Sequence, residues 1–341
     1  MSPPSLPTRK IGNDDVTAIG FGAMGLSAYY GSIASDEERL DFLDTVYAKG
    51  CTFWDTADIY KDNEDLIGKW FKRSGKRNDI FLATKFGVTG NSARPINGDP
   101  EYVNKSFAKS ISRLGVETVD LYYAHRADAT VPIEKTVGAM AELVKAGKVK
   151  YLGLSECSAT TLRRAHAVHP IAAIQVEYSP FTLDIEDDRL AVLRTARELG
   201  VAIIAYSPLG RGLITGQYKS VDDFEEGDFR RMVPRYQNEN FPNILKLADG
   251  LKKVGEKHGA TAGQVALAWL LAQGPDVIPI PGTRQVKYLE ENLGALKVKL
   301  TPEDVAEVRG FALEADEASK GYGRYPAPLL ALLFAETPEL A

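Results

Sequence analysis

Short apolar runs alternate with amphipathic stretches along most of this chain, and that alternation restricts its fold more than any other feature. The runs are 16–19, "CTFW" (51–54), "IFLAT" (80–84), "VDLYYAH" (119–125), "VKYLGLS" (149–155), "AAIQVEYS" (172–179), "VAIIAYS" (201–207) and "VIPIPG" (277–282). Helical patterns fill the gaps, over 36–49, 64–73, 100–114, 134–146, 159–167, 187–199, and 243–258 with 262–273. Strands that are apolar on both faces, each followed by a helix, call for a parallel sheet covered on both sides. Eight such units in roughly 300 residues suit a closed (β/α)8 TIM barrel; an open doubly wound sheet is the other arrangement. No linker divides the chain, so 1–341 reads as a single domain. "TRKIGNDDVTAI" before the barrel reads as a hairpin turning at Asn13–Asp14. After the seventh barrel strand comes a long irregular stretch, 211–241, and the chain closes with a helix, "TPEDVAEVRGFALEA", and a tail.

"GFGAMG" at the first strand contains Gly20, Gly22 and Gly25 in the order G-x-G-x-x-G. A dinucleotide fingerprint needs its last glycine to open a helix, because the pyrophosphate sits on that helix's N-terminus. Here "LSAYYGSIAS" follows, and the next helix signal starts at the capping box of Ser35 and Glu38, about ten residues too late. The glycines read instead as a strand end that something approaches closely.

The net charge of −5 offers nothing to nucleic acid or to an acidic membrane surface. Cys51 and Cys157, the only cysteines, lie in apolar runs and read as buried, reduced thiols. "MSPPSLPTRK" lacks the apolar core of a secretory signal, and no apolar run approaches the ~20 residues of a membrane span. A cytoplasmic location is expected, with no nucleic-acid or membrane partner.

In a barrel, chemistry belongs at the C-terminal ends of the strands. Those ends carry Asp55 and, five residues on, Tyr60; then Lys85; then His125. A tyrosine titrates near ~10, too high for an efficient donor at neutral pH, and an adjacent ammonium lowers that value. Asp55 would hold Lys85 charged, and His125 would orient a substrate oxygen, giving a general acid aimed at a carbonyl. No metal triad and no G-x-S-x-G nucleophile elbow is visible. "GTRQ" opens an amphipathic helix, so free N–H groups and Arg284 make either an anion site or a solvated helix start.

"WDTADIY", "LATK" and "YYAHRAD" resemble the catalytic strand ends of the aldo-keto reductases, most nearly their pyridoxal/perakine reductase-like branch. "GFGAMGLS", "AGKVKYLGLSE", "IQVEYSP", "AYSPLGRGLITG" and "PIPGTRQVKYLEENLGA" follow in the same family's order, so the resemblance spans about 8–315. It implies a (β/α)8 barrel that binds NADP(H) without a Rossmann fold and reduces a small aldehyde or ketone. By the resemblance, Tyr60 is the proton donor, Lys85 and Asp55 tune it, and His125 orients the carbonyl. Met24 lies beside the cofactor; Ser155 and Gln175 bind the nicotinamide carboxamide; Tyr206 stacks on the nicotinamide ring. Ser207, Pro208, Leu209, Gly210 and Arg211 surround the pyrophosphate. Gly282, Thr283 and Arg284 meet the 2′-phosphate, with Glu291 and Asn292 near the adenine.

Two residues depart from the family pattern. Glu156 stands where many relatives have Asn, and a carboxylate accepts hydrogen bonds but cannot donate them. Gly282 stands where many have Lys, leaving Arg284 to supply the charge. A cofactor-binding regulatory subunit of the same fold is the alternative to an enzyme. A metal-assisted hydrolase would need ligands at the strand ends that are absent. The stretch 211–241, with few apolar residues, is expected to be mobile without cofactor, to be cut by proteases near Arg230 and Arg231, and to close over the pyrophosphate with Arg211 as anchor.

Overall fold

The computed structural model describes residues 3–340. A hairpin comes first, with β1 (Thr8–Ile11) antiparallel to β2 (Asp14–Thr17). Its turn is Gly12–Asn13, one residue earlier than the sequence suggested. Gly12 takes φ 57°, the left-handed conformation that a two-residue hairpin places at its first central position at little cost only for glycine. Eight parallel strands follow: β3 (Phe21–Gly22), β4 (Phe53–Asp55), β5 (Phe81–Phe86), β6 (Val119–Ala124), β7 (Val149–Ser155), β8 (Ile171–Glu177), β9 (Ala202–Tyr206) and β10 (Val277–Pro279). Each pairs with the next in chain order. The two outer strands meet as well: Gly20 N–H donates to Pro279 O (3.0 Å) and Gly22 N–H to Pro281 O (3.3 Å). The sheet is therefore a barrel, and the open-sheet alternative is set aside.

The apolar run 16–19 is not the first barrel strand. Val16 and Thr17 belong to the hairpin, and the barrel begins at Phe21. The run is buried because the hairpin plugs the floor: Ile11 and Val16 join Phe53, Leu121, Ile204 and Ile278 in one interior cluster. The glycines of the opening motif serve the seam beside it. A Cβ on Gly22 would lie 2.7 Å from Ile280 O, and one on Gly282 would lie 2.7 Å from Gly22 O. What approaches the glycine strand end is thus the backbone that follows β10.

The helices pack outside the strands, with the indole of Trp54 between the strands and Trp70 of α2. They are α1 (Asp36–Ala48), α2 (Asn63–Ser74), α3 (Pro100–Leu114), α4 (Ile133–Lys145), α5 (Ala159–Val168), α6 (Val192–Glu198), α7 (Phe241–Glu256), α8 (Ala262–Ala272), α9 (Val286–Gly294), α10 (Pro302–Ala318) and α11 (Ala327–Leu330). The Ser35–Glu38 capping box starts α1 as expected. The stretch expected to be helical over 187–199 yields only α6. Asp187 turns the chain by accepting from Arg189 N–H (2.8 Å), and Ala191 sits at φ 51°, which no helix continues through. Among the described residues no helix is long and apolar enough to cross a membrane.

The segment 211–241 is packed, contrary to expectation. It winds through 3-10 turns at Val221–Asp223, Phe229–Met232 and Pro234–Tyr236, and buries Leu213, Ile214, Phe224, Val233 and Tyr236. Arg230, the expected cleavage point, is itself buried. It pairs with Asp228 (2.7 Å) and lies 4.3 Å from the Phe224 ring centre and 4.6 Å from that of Tyr218. The arginines counted as solvated charge in the sequence act here as flat covers over aromatic rings.

The seam makes a direct test. Gly22→Ala places a methyl against immovable backbone and should lower stability by about 1–3 kcal/mol. Gly25→Ala meets nothing nearer than Tyr30 at 3.7 Å and should unfold like the parent in a thermal melt. Equal melting of both variants would remove the close-approach account.

Candidate active site

Asp55 ends β4, Lys85 lies in β5, and His125 follows β6, so three neighbouring strands deliver three side chains to one end of the barrel. Tyr60 comes from the turn after β4, held there because Tyr60 N–H donates to Ala57 O (3.1 Å). The Lys85 ammonium lies 5.1 Å from the centre of the Tyr60 ring, and the His125 ring meets it edge-on at 5.7 Å. The four expected catalytic residues therefore converge, and all four are buried.

Lys85 binds Asp55 Oδ1 directly and Thr56 O at 2.8 Å. Asp55 Oδ2 accepts from Gln175 Nε2 at 2.8 Å. Burial raises the Asp55 carboxyl and lowers the Lys85 ammonium, while their mutual attraction opposes both shifts. The tyrosine departs from expectation: burial, then the nearby Asp55 charge, pushes the Tyr60 phenol well above its ordinary value. Lys85 directs its hydrogen bonds at Asp55 and Thr56, so its charge beside the ring does not offset these two effects in the resting site. Burial, reinforced by the Arg126 and Lys85 charges, pushes His125 well below its usual value. It is a neutral imidazole at physiological pH, and its Nδ1 is buried with no partner among the described residues.

The residues assigned by resemblance to the cofactor separate into two sets. Met24 (in the 3-10 turn Ala23–Leu26), Ser207 and Leu209 are partly exposed around the mouth, beside the buried Pro208 and Gly210. Gly282 and Arg284 are exposed before α9, where Thr283 Oγ1 accepts from Gln285 N–H (3.1 Å). Asn292 is buried, and Glu291 accepts from Thr261 Oγ1 (2.6 Å). Other members of the set already have internal partners. Gln175 props Asp55; Ser155 Oγ accepts from Arg126 (3.2 Å); Tyr206 donates to Glu156 (2.8 Å). Arg211 is not free at the surface. It reaches Glu177 (3.3 Å) and the Tyr236 hydroxyl (3.1 Å), and lies 4.6 Å from the Tyr325 ring centre.

Sequence reasoning missed Arg126, Glu177, Phe229 and Arg324. Glu156 and Glu177 end neighbouring strands in apolar surroundings, and two carboxylates there demand cations; that was the available signal for Arg324. Phe229, from the supposedly mobile segment, contacts the rings of Tyr29 (6.3 Å) and Tyr325 (6.2 Å), and Tyr29 in turn meets Tyr60 (6.5 Å). An aromatic rim thus stands over Tyr60. Among the described residues no cluster of His, Cys, Asp or Glu could hold a metal ion.

The pattern of the Aldo/keto reductase family matches residues 18–312. The chain belongs to that family. It is 62% identical over 340 residues to a protein of Strobilurus tenacellus named aldo-keto reductase str7, covering 98% of this chain and 99% of that one. It is 52% identical over 341 residues to the Schizosaccharomyces pombe (strain 972 / ATCC 24843) protein named aldo-keto reductase yakc [NADP(+)], with the same coverage. Among solved structures it is similar to the thermostable aldo-keto reductase Tm1743 bound to epalrestat (TM-score 0.73, 30% identity, 90% of this chain and 100% of that one). It also resembles the glycerol dehydrogenase AKR11B4 of Gluconobacter oxydans (TM-score 0.79, 27% identity, 89% and 94%). Family membership makes this aldo-keto reductase an oxidoreductase of carbonyl groups.

One carboxyl near the site behaves unusually. Burial, with the Glu64 charge adding to it, raises Asp58 to about 7, and its Oδ1 has no partner. A folded-state value above the ordinary ~4 means stability falls as pH rises through the window from about 4 to about 7. Asp58→Asn should therefore melt higher than the parent at pH 8, with the difference closing toward pH 4. A difference independent of pH would show that the carboxyl is not the cause.

Proposed function

We propose that this reductase uses NADPH to reduce an aldehyde or ketone to an alcohol, with Tyr60 as proton donor. The observation that carries this reading is the convergence of Tyr60, Lys85, Asp55 and His125 from successive strand ends onto one buried point. When bound, the cofactor supplies a hydride to the carbonyl carbon. The chain's own residues do the rest. His125, neutral, is suited to hydrogen-bonding the carbonyl oxygen without carrying a charge. Tyr60 stays protonated at neutral pH and gives its phenolic proton to that oxygen as negative charge develops there. The Lys85 ammonium, beside the ring, stabilises the phenolate left behind, and Asp55 with Gln175 keeps that ammonium fixed. The aromatic rim of Tyr29, Phe229 and Tyr325 favours an apolar substrate and keeps water from the reacting oxygen.

The residues present suit NADP(H). Tyr206 offers an aromatic face at the end of β9, and the exposed Arg284 stands by the N-terminus of α9, where peptide N–H groups favour an anion. Arg284 and Thr283 would hold the 2′-phosphate. Ser155 and Tyr206 would hold the nicotinamide, with Met24 and the 207–210 backbone alongside.

Purified protein given NADPH and a panel of aldehydes should oxidise the cofactor, whereas a regulatory subunit would bind it without turnover. Tyr60→Phe should retain less than about a tenth of the rate while its NADPH affinity stays near that of the parent, because the hydroxyl acts only as charge develops. Retained activity would remove Tyr60 as the acid. Arg284→Ala should weaken NADPH about tenfold or more and leave NADH nearly unchanged, because a charge-assisted contact to the 2′-phosphate is lost. Equal loss for both cofactors would place Arg284 elsewhere.

A further inference from the structure

Glu156 is fully buried immediately after β7, at φ 50°, and its carbonyl accepts from Phe334 N–H of the C-terminal tail (2.7 Å). Every hydrogen bond its carboxylate accepts is internal. Oε1 takes the Tyr206 hydroxyl (2.8 Å) and the Glu177 N–H (2.8 Å), and Oε2 takes Arg324 Nη2 (3.1 Å). Arg324 comes from the tail after α10 and is only 3% exposed. Its Nη1 reaches Glu177 (3.0 Å) and its Nε reaches Asp184 (2.8 Å), so one guanidinium bridges three carboxylates. Tyr325, the next residue, places its hydroxyl 3.0 Å from that of Tyr206.

Two carboxylates at neighbouring strand ends repel each other and are poorly solvated. Glu177 has a second cation in Arg211, whereas among the described residues Glu156 has only Arg324 as an ion-pair partner. Burial alone would raise the Glu156 carboxyl; Arg324 and, at longer range, Arg126 outweigh it and hold the group ionised. Ionised, Glu156 accepts from Tyr206 and from Glu177 N–H at one oxygen and pairs with Arg324 at the other; protonated, it loses the ion pair and carries an O–H that must itself find an acceptor, in competition with the Tyr206 hydroxyl.

We propose that Arg324 is a positioning residue for the cofactor face: by holding Glu156 as a carboxylate, it fixes the Tyr206 ring through that ring's hydroxyl. This rests on the proposed role of Tyr206 as the surface against which the nicotinamide lies. The tail is then part of the cofactor site without touching the cofactor, and Glu156 supports the nicotinamide ring's neighbour rather than its carboxamide.

The test compares Arg324→Met, Arg324→Lys and the double variant Arg324→Met/Glu156→Gln. Thermal melts of the cofactor-free proteins and calorimetric titrations with NADP+ are run over about pH 6 to 9. Without Arg324, Glu156 faces Glu177, Tyr206 and Cys157, with Tyr325 beyond Tyr206 and Arg126 as the remaining cation nearby. Its carboxyl then titrates higher in the folded than in the unfolded protein, so stability is lost as pH rises. Arg324→Met should show that falling melting temperature, and should bind NADP+ at least tenfold more weakly than the parent. Its KM for NADPH should rise with little change in kcat. The double variant should lose the pH slope and regain much of the affinity, because a neutral amide oxygen still accepts from Tyr206. Arg324→Lys, which keeps the charge but not the three-nitrogen fork, should lie between the parent and Arg324→Met in affinity.

Parent-like NADP+ binding by Arg324→Met overturns the proposal. So does an equal, pH-independent loss in the single and double variants, which would mean general support of the fold. If Arg324→Met does not fold, a double variant that folds supports the proposal and one that does not overturns it. Should the parent itself fail to bind NADP+, the functional reading fails, while the pH slope still decides whether Arg324 holds Glu156 ionised.

Discussion

Closure of the barrel between β3 and β10 is the constraint from which the rest follows. It depends on two glycines, because Gly22 and the residues after β10 approach so nearly that a Cβ on Gly22 would lie 2.7 Å from Ile280 O. Once the sheet is closed, the ends of β4, β5 and β6 cannot splay. Asp55, Lys85 and His125 are then forced toward one axis. The hairpin plug seals the opposite end with Ile11 and Val16, leaving only the C-terminal end open for chemistry.

Charges at that open end are buried in opposite-signed pairs. Lys85 meets Asp55, Arg211 meets Glu177, and Arg324 meets Glu156, Glu177 and Asp184. Each buried charge would be costly alone, and each pair is expensive to break. The consequence is a rigid frame around the tyrosines. Tyr206 is held by its hydroxyl, while Tyr60 is bounded by the Lys85 ammonium and by the rings of His125 and Tyr29.

The periodicity of the chain showed most of this fold. Seven of the eight barrel strands lie within or against apolar runs read from the sequence, because barrel strands are covered on both faces and need apolar residues throughout. The first was misplaced: the run 16–19 is apolar to plug the floor, and burial looks the same whichever element supplies it. The stretch 187–199 failed for a local reason, the side-chain turn at Asp187 and the left-handed Ala191. In 211–241 a low apolar content misleads, because Arg230 and Arg235 cover the rings of Phe224 and Phe181 and so help to pack the segment.

The sequence alone determined the chemistry on offer: an aspartate, a lysine and a histidine at the ends of apolar runs, a tyrosine five residues past the first of these, and no visible metal-ligand set. Those are local facts, set by side-chain type and spacing. Only the tertiary structure decided what each group faces. It turned Gln175 toward Asp55, buried Arg211 against Glu177, raised rather than lowered the Tyr60 phenol, and brought Arg324 across to Glu156. Such pairings join residues up to 168 positions apart. The physical reason is that an ionisable group's state follows its solvent exposure and its nearest charges, and both are set by chain closure in space.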